Sequence, residues 1–600
     1  SEMSMTLEGG RTLGKGIKRN PRADSKQLAF NRATPFYRQS SVSLKCNQLT
    51  LDFGDYSVQF QVYDEGLAYR FVTAMPDSIN VMAEKAEFTL PADCTVYTTK
   101  VNSKKKTYEQ QLKNSFENTY ECAPLSAIDR SKLCQGPLLA ELPGGKRLLI
   151  ADYNTLDYPG MMLYPADGNR LEAYFAAVPL AQHQGGHNNL QMLVDSRHPY
   201  IARTAGTRAF PWKMMLVAST DAQLLTCNVP VCLADEPKIH DTSWIKPGKV
   251  AWDWWNAWNL KGVDFKTGVN NDTYRYYIDF AARHGIEYVI LDEGWAVNKK
   301  ADLMQVVPEI NLEQLADYAR QRGVDLVLWA GYKAFARDME GVCAHYAKMG
   351  IKGFKIDFMD RNDQEIVRFL EDAARIAKQH LFLDFHGTCP PAGLQYTWPN
   401  VLNFEAVAGL EQVKWSTIDQ YDEVRHETLL PFIRQTVGPM DFTQGAMRNA
   451  TRANYYKCYT QPMSQGTRCR QLALYMILES PFNMLCDAPT SYEANEECAR
   501  FIAGIPTVWD ETRVLHAELG KCVVEARRKG GTWWIGGITN WDERDVEIDL
   551  SFLQGRQITV FTDGVNADRN AEDYRTQSLA APGTLKVHLA PGGGFAAMAK

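Results

Sequence analysis

No apolar run in the 600 residues approaches the roughly 20 needed to cross a bilayer, so a membrane-spanning helix is excluded. Positive charge is not in surplus either: 65 Lys and Arg stand against 71 Asp and Glu, a net charge of -6. That leaves no broad basic face for nucleic acid or acidic lipid. The thirteen cysteines include no Cys-x-x-Cys pair. An odd, scattered set excludes a disulfide scaffold and a zinc module and leaves room for a single bridge. There is no His-Glu-x-x-His, no EF-hand loop and no Gly-x-Ser-x-Gly elbow, which removes the common zinc-peptidase, calcium-sensor and serine-hydrolase readings. The residues given carry no secretory leader pattern.

What is plentiful is aromatic: 11% of the chain, with 14 Trp and 27 Tyr. Indole rings stack on the C–H faces of sugars, and large β-sandwich cores also consume Trp. A chain this long exceeds a single core, so two or three domains are expected. Up to about Lys249 the pattern has period two, as in Leu49-Thr-Leu-Asp-Phe53 and Ala68-Tyr-Arg-Phe-Val72, with Gly and Asp at the turns. This predicts an N-terminal β-sandwich over 1–241. The basic stretch from Gly9 to Lys26 shows no clear period and is left unassigned. Pro247 and Gly248 close a linker over 242–249.

Beyond the linker, strands alternate with helical stretches. The strand candidates start at Val250, Tyr288, Asp325, Gly353, Leu381, Val401, Met440 and Pro481. Their count and spacing predict a (β/α)8 barrel over 250–516. An open doubly wound sheet would instead carry a Gly-rich phosphate turn after its first strand, and Trp254-Trp255-Asn256 is not one. Residues 517–600 return to strands and Gly turns, which predicts a C-terminal antiparallel β-sandwich.

The chemistry centres on Gly353-Phe-Lys-Ile-Asp-Phe358. Lys355 and Asp357 lie two apart and share one face of a buried strand, where charge is costly unless used. They form either a structural ion pair or a catalytic unit, Asp357 as the reacting carboxylate and Lys355 as a substrate holder that keeps it ionised. Asp253, Asp292, Glu293, Trp329, His386, Glu405 and Asp441 sit at the ends of other proposed strands. A ring that is mostly acidic and interleaved with Trp suits a neutral polyhydroxylated ligand; a phosphate would want Lys, Arg or Gly-rich loops. Glycoside hydrolysis uses two carboxylates. The partner of Asp357 is best sought in Asn403–Glu411, where Glu405 ends a strand and Glu411 lies beyond it. Glu411 reads equally well as the acid at the start of a helix. Scattered oxygen ligands could also bind calcium, which spacing does not reveal. Cys389, near the proposed mouth, reads as packing, since no activating partner can be named.

The linker Ser243–Lys249, the following Trp252-Asp-Trp-Trp255, the strand-four Lys355-Ile-Asp-Phe358 and Glu405 through Glu411 resemble glycoside hydrolase family 97. The resemblance covers essentially the whole chain and implies an N-terminal β-super-sandwich, a catalytic barrel and a C-terminal β domain. In that family's inverting α-glucosidases a Glu follows the His at the end of strand five. Here Gly387 follows His386, and Asp357 stands where the retaining members carry their nucleophile. The resemblance thus implies Asp357 as nucleophile and Glu411 as acid/base. It also implies a calcium ion held by Glu405, Glu411 and an acid of the N-terminal domain, best matched by Asp152.

Leu291-Asp-Glu-Gly-Trp295 and Phe354-Lys-Ile-Asp357 are also similar to the strand-two acidic pair and strand-four Lys-x-Asp of retaining α-galactosidases. That implies Asp292 and Glu293 on the O4 and O6 hydroxyls and Lys355 on their neighbours. Buried carboxylates reward a correct hydroxyl and penalise its absence. The expected activity is a retaining, exo-acting α-galactosidase that hydrolyses terminal α-galactosides of oligosaccharides. Asp253, Asp292, Glu293, Trp329, Lys355 and His386 would contact the sugar. The family suggests a periplasmic or envelope home. The rivals are an inverting α-glucosidase, which needs a water-activating carboxylate not found here, and a non-catalytic carbohydrate-binding protein, against which Asp357 and Glu411 argue.

Overall fold

The computed structural model describes residues 2–17, 20–101, 104–378 and 380–600. The N-terminal part is a large antiparallel sheet whose spine is the 24-residue strand Gly66–Thr89. That strand pairs in turn with Met3–Leu7, Tyr56–Tyr63, Ala202–Ala209 and Trp212–Ala218. Alternate residues such as Val58, Phe71, Leu138 and Ile150 meet in one apolar core, the packing that a period-two pattern dictates. The basic stretch without a clear period holds the short strand Thr12–Leu13 and the start of the strand Arg22–Ala33; its Lys18 and Arg19 lie outside the described residues. One hairpin, Pro179–Gly185 with Gln191–Arg197, pairs only with itself and runs out towards the second domain.

That domain is a parallel barrel. Its strands are β1 (Gly248–Ala251), β2 (Tyr288–Leu291), β3 (Asp325–Gly331), β4 (Gly353–Asp357), β5 (Phe382–Phe385), β6 (Val401–Phe404) and β7 (Phe482–Leu485). They pair in chain order, and β7 returns to β1. Seven regular strands, not the eight expected, are therefore present among the described residues. The missing place between β6 and β7 is spanned by Met440–Gln444 in irregular backbone. The Asp441 amide bonds Phe404 O at 2.8 Å, and the Cys486 amide bonds Gln444 O at 3.3 Å. Pro439 offers no amide and Thr443 is left-handed (φ 66°), so a continuous ladder cannot form there. β1 begins at Gly248, inside the expected linker, where a Cβ would come 2.8 Å from the Glu287 side chain.

The helices follow from their ends and faces. Asn271–His284 is capped by the Asn270 side chain, which accepts from the Thr273 amide, and it stops at left-handed Gly285 (φ 70°). Its Tyr274, Tyr277, Ile278 and Ala281 recur at helical spacing and bury against the barrel. The C-terminal domain is a six-stranded antiparallel sheet, already begun at Glu511, with a two-stranded companion, Arg544–Asp549 and Thr584–Leu589. Arg470, on the barrel helix Arg468–Ile477, is wholly buried against it. It bonds Val424 O at 2.8 Å, the Glu427 carboxylate and Thr539 O. No disulfide joins the described cysteines. No described helix is long and apolar enough to cross a membrane.

Candidate active site

The barrel strands end in abrupt turns. Phe358 follows β4 at φ 69°, Gly387 lies beyond β5 at 54°, Ala406 beyond β6 at 42°, and Thr443 is in the β6–β7 gap. Non-glycine residues in this region carry strain of order 1 kcal/mol or more, and a ring of them re-aims the strand-end side chains at one mouth.

Asp357 is the last residue of β4. Its Oδ2 accepts from Trp329 Nε1 at 3.3 Å and its Oδ1 from the Phe358 amide at 2.7 Å. Burial lifts its pKa to about 7; the charge on Glu405 adds to this, while His386 and Lys355 oppose it. Glu411 does not start a regular α-helix. It lies on a 3-10 turn, Leu410–Lys414, docked through the Leu410 amide on Phe442 O at 2.9 Å. Burial, then Glu405, lifts its pKa to about 8. Glu411 feels the charge of Asp357, and both feel Glu405, His386 and Lys355, so the two expected carboxyls share one electrostatic neighbourhood.

The ion-pair partner of Lys355 is Asp292 at 3.0 Å, not Asp357. Asp292 Oδ2 also accepts from Trp252 Nε1 at 2.7 Å, and the ammonium sits 4.6 Å from a Trp252 ring centroid. Asp253 lies behind this unit. It is wholly buried, and its Oδ2 is taken by the Tyr274 hydroxyl at 2.6 Å and the Asp292 amide at 3.2 Å. It therefore props Asp292 rather than facing a sugar, which departs from its expected role. Glu293 lines a cavity shared with Trp329, whose Nε1 donates to Asp357.

His386 is enclosed by carboxylates: Asp441 at 2.7 Å and Asp384 at 3.3 Å on Nε2, Glu405 at 3.0 Å on Nδ1. Burial alone would lower its pKa, but Glu405 and Asp384 outweigh that and raise it well above the ordinary value. It is an anchor beneath the mouth. Beside it Gly387 gives its amide to Glu405 Oε1 at 3.0 Å.

His386, Glu405 and Glu411 bring ligand atoms within 4.8 Å of one another. The N-terminal domain adds Glu117, whose Oε1 accepts from Gln412 Nε2 at 3.1 Å. Its pKa rises well above the ordinary value through burial, then through the charges of Glu405 and Glu411. Glu405 and Glu411 cluster with His386, and Glu117 adds like charge nearby; carboxylates that repel in this way fit a cation such as calcium. Asp152, the expected third acid, is elsewhere. It accepts from Thr155 Oγ1 at 3.1 Å and the Met161 amide at 2.9 Å and lines a different pocket beside Cys389. Burial pushes the Cys389 thiol up to about 12, in keeping with a packing role.

Sequence reasoning missed Glu117, Asp384 and the pair His187–Asn188, which binds Glu293 from the N-terminal hairpin. Gly185-Gly-His-Asn-Asn189 does read as a turn, but nothing in it says where the tip goes.

Models of glycoside hydrolase family 97 match all three parts: the N-terminal domain over 1–236, the catalytic domain over 254–407 and the C-terminal, oligomerisation domain over 508–600. The chain belongs to glycoside hydrolase family 97. A retaining alpha-galactosidase of Bacteroides thetaiotaomicron is 52% identical, with 99% of this chain and 91% of that protein covered. A probable retaining alpha-galactosidase of Streptomyces bingchenggensis is 29% identical, with 98% and 85% covered. Among solved structures, a family 97 enzyme from Pseudoalteromonas sp. strain K8 superposes with a TM-score of 0.86 at 23% identity, covering 100% and 94% of the two chains. A beta-arabinopyranosidase superposes at 0.82 with 24% identity, covering 99% and 94%. These likenesses confirm the three-part fold of a family 97 glycoside hydrolase.

Proposed function

We propose that this family 97 hydrolase is a retaining α-galactosidase that releases terminal α-galactose by double displacement, with Asp357 and Glu411 as its two carboxyls. The observation that carries the reading is the space beside Gly387. A Cβ there would lie 2.9 Å from Asp357 Oδ1, so Asp357 occupies the ground that the water-activating Glu of the inverting branch would need. The 52% identical relative is named a retaining alpha-galactosidase, in keeping with this.

Asp357 attacks the anomeric carbon as Glu411 gives its proton to the leaving oxygen; Glu411 then takes a proton from water, which releases the sugar. Burial raises both carboxyls, and a proton retained on Glu411 beside an ionised Asp357 is what these roles need. Lys355 and Asp292 present a fixed donor and acceptor to ring hydroxyls. Glu117, Glu405 and Glu411 would hold calcium, which when bound supplies positive charge that orients Glu411 and lowers its pKa. We also place the enzyme in the periplasm by family likeness; ten of its thirteen thiols are buried and so shielded there from pairing.

The test is proton NMR of the first turnovers of an aryl α-galactoside. Initial α-galactose is expected. Initial β-galactose would overturn retention, and an enzyme that cleaves only an α-glucoside would overturn the sugar assignment.

A further inference from the structure

We propose that the tip of the N-terminal hairpin, His187 with Asn188, holds Glu293 for the C6 hydroxymethyl group of the sugar. It thereby sets the preference for galactose over L-arabinopyranose, the pentose with the same ring configuration and no C6. The proposal rests on the α-galactosidase reading and adds specificity residues from outside the barrel.

Glu293 Oε1 accepts from Asn188 Nδ2 at 2.7 Å, and both of its carboxylate oxygens lie within 3.1 Å of His187 Nε2. Its side chain is still 25% exposed, so lone pairs remain for a ligand. Asp292, by contrast, is buried and already bonded by Trp252, Lys355 and the Glu293 amide. Of the acidic pair, Glu293 is the more exposed member and keeps the more acceptor capacity.

The tip is seated rather than dangling. Leu190 fills the space above Gly331, where a Cβ would meet it at 2.8 Å, and its carbonyl accepts the Lys333 amide at 2.9 Å. Gln191 Nε2 donates to Asp360 Oδ2 at 2.6 Å, just past β4. The His187 ring lies 4.9 Å from Phe358, which lies 5.8 Å from Trp329. Left-handed Asn188 (φ 49°) and Asn189 (φ 60°) make the sharp turn that points these side chains inward.

Beside Glu293 is a cavity of about 250 Å³ walled by Asn188, Leu190, Trp254, Trp258, Trp295 and Trp329. Trp329 both walls this cavity and donates to Asp357, which does not line it, so the indole links the cavity to the reacting carboxylate. The edge of a pyranose away from C1 carries O4 and the C6 hydroxymethyl. Indole walls suit the methylene, and a fixed carboxylate suits its hydroxyl. His187 and Asn188 do not reach the sugar in this scheme. They are positioning residues.

The experiment compares wild type with His187→Ala and Asn188→Gly, the latter chosen because glycine keeps the left-handed turn without the amide donor. It reads kcat and KM on an aryl α-galactoside, the inhibition constants of D-galactose and L-arabinose, and the melting temperature. We expect KM and the galactose inhibition constant to rise about tenfold, kcat to change less than about threefold, and the arabinose constant to move less than about threefold. Equal losses for both sugars, a fall confined to kcat, or no change in either variant at an unaltered melting temperature would overturn the proposal. Wild type that neither cleaves an α-galactoside nor binds galactose would instead sink the functional reading on which it rests.

Discussion

Gly387 and Asp357 are so close that a Cβ on the glycine would lie 2.9 Å from Asp357 Oδ1, and 2.8 Å from the Phe358 amide. Gly387 is also left-handed at φ 54°, where an L-residue pays about 1 kcal/mol. Gly387→Ala therefore displaces the Asp357 carboxylate, and kcat/KM on an aryl α-galactoside should fall by about a hundredfold or more, since a misplacement near 1 Å costs that much. Activity within a few-fold of wild type would mean the site tolerates the extra carbon and the steric argument is wrong.

Removing the nucleophile has a stereochemical signature. Asp357→Gly should lose at least about a thousandfold in kcat. Added azide should restore turnover by entering the vacated space, and the product should be β-galactosyl azide. Product analysis by NMR decides it: an α-azide, or no rescue at all, would remove Asp357 from the role.

The cation cluster separates two acids that sequence alone could not. Glu117→Gln takes one charge from the set Glu117, Glu405 and Glu411 and should weaken calcium binding by about tenfold or more, measured by calorimetry. Asp152→Asn should leave the calcium affinity unchanged, because Asp152 spends its hydrogen bonds on Thr155 and Met161. Exhaustive chelation should lower wild-type activity. The opposite ranking of the two variants would restore Asp152 as the ligand.

That pair also shows where the sequence stopped being legible. Period-two strands, the alternation of strand and helix, and the Lys355–Asp357 spacing are local patterns, and the fold and the candidacy of Asp357 followed from them; Glu411 is singled out only by the family resemblance. Glu117 lies in Asn114-Ser-Phe-Glu-Asn118, which has no period, and it reaches Gln412, beside Glu411, only because the N-terminal domain docks on the barrel; the Asn114 amide bonds Asp360 O at 2.9 Å. Asp253 read as a ligand because it ends the strand proposed from Val250, yet it lies two residues past β1 and the Tyr274 hydroxyl, supplied by the following helix, takes its Oδ2. The irregular Met440–Gln444 span is likewise set by neighbours: it bonds β6 and the residue after β7 without forming a ladder. Contacts between distant segments decide these cases, and a single sequence does not display them.

A buried histidine gives a prediction for stability against pH. His426 lies between Tyr120 of the N-terminal domain and Tyr421, with ring centroids 5.7 and 5.9 Å away. Burial, then the charge of Arg425, pushes its pKa down to about 3. Above about pH 6.5 the imidazole is neutral both folded and unfolded, and it contributes no pH dependence. Below that the unfolded chain binds a proton the folded protein refuses, so stability falls as pH drops, by up to about 1.4 kcal/mol per unit until about pH 3. His426→Phe keeps a ring between the two tyrosines and removes the titration. Urea midpoints of the variant should therefore fall less steeply than wild type between pH 6.5 and 4. Parallel curves would show that His426 takes up its proton inside the folded protein.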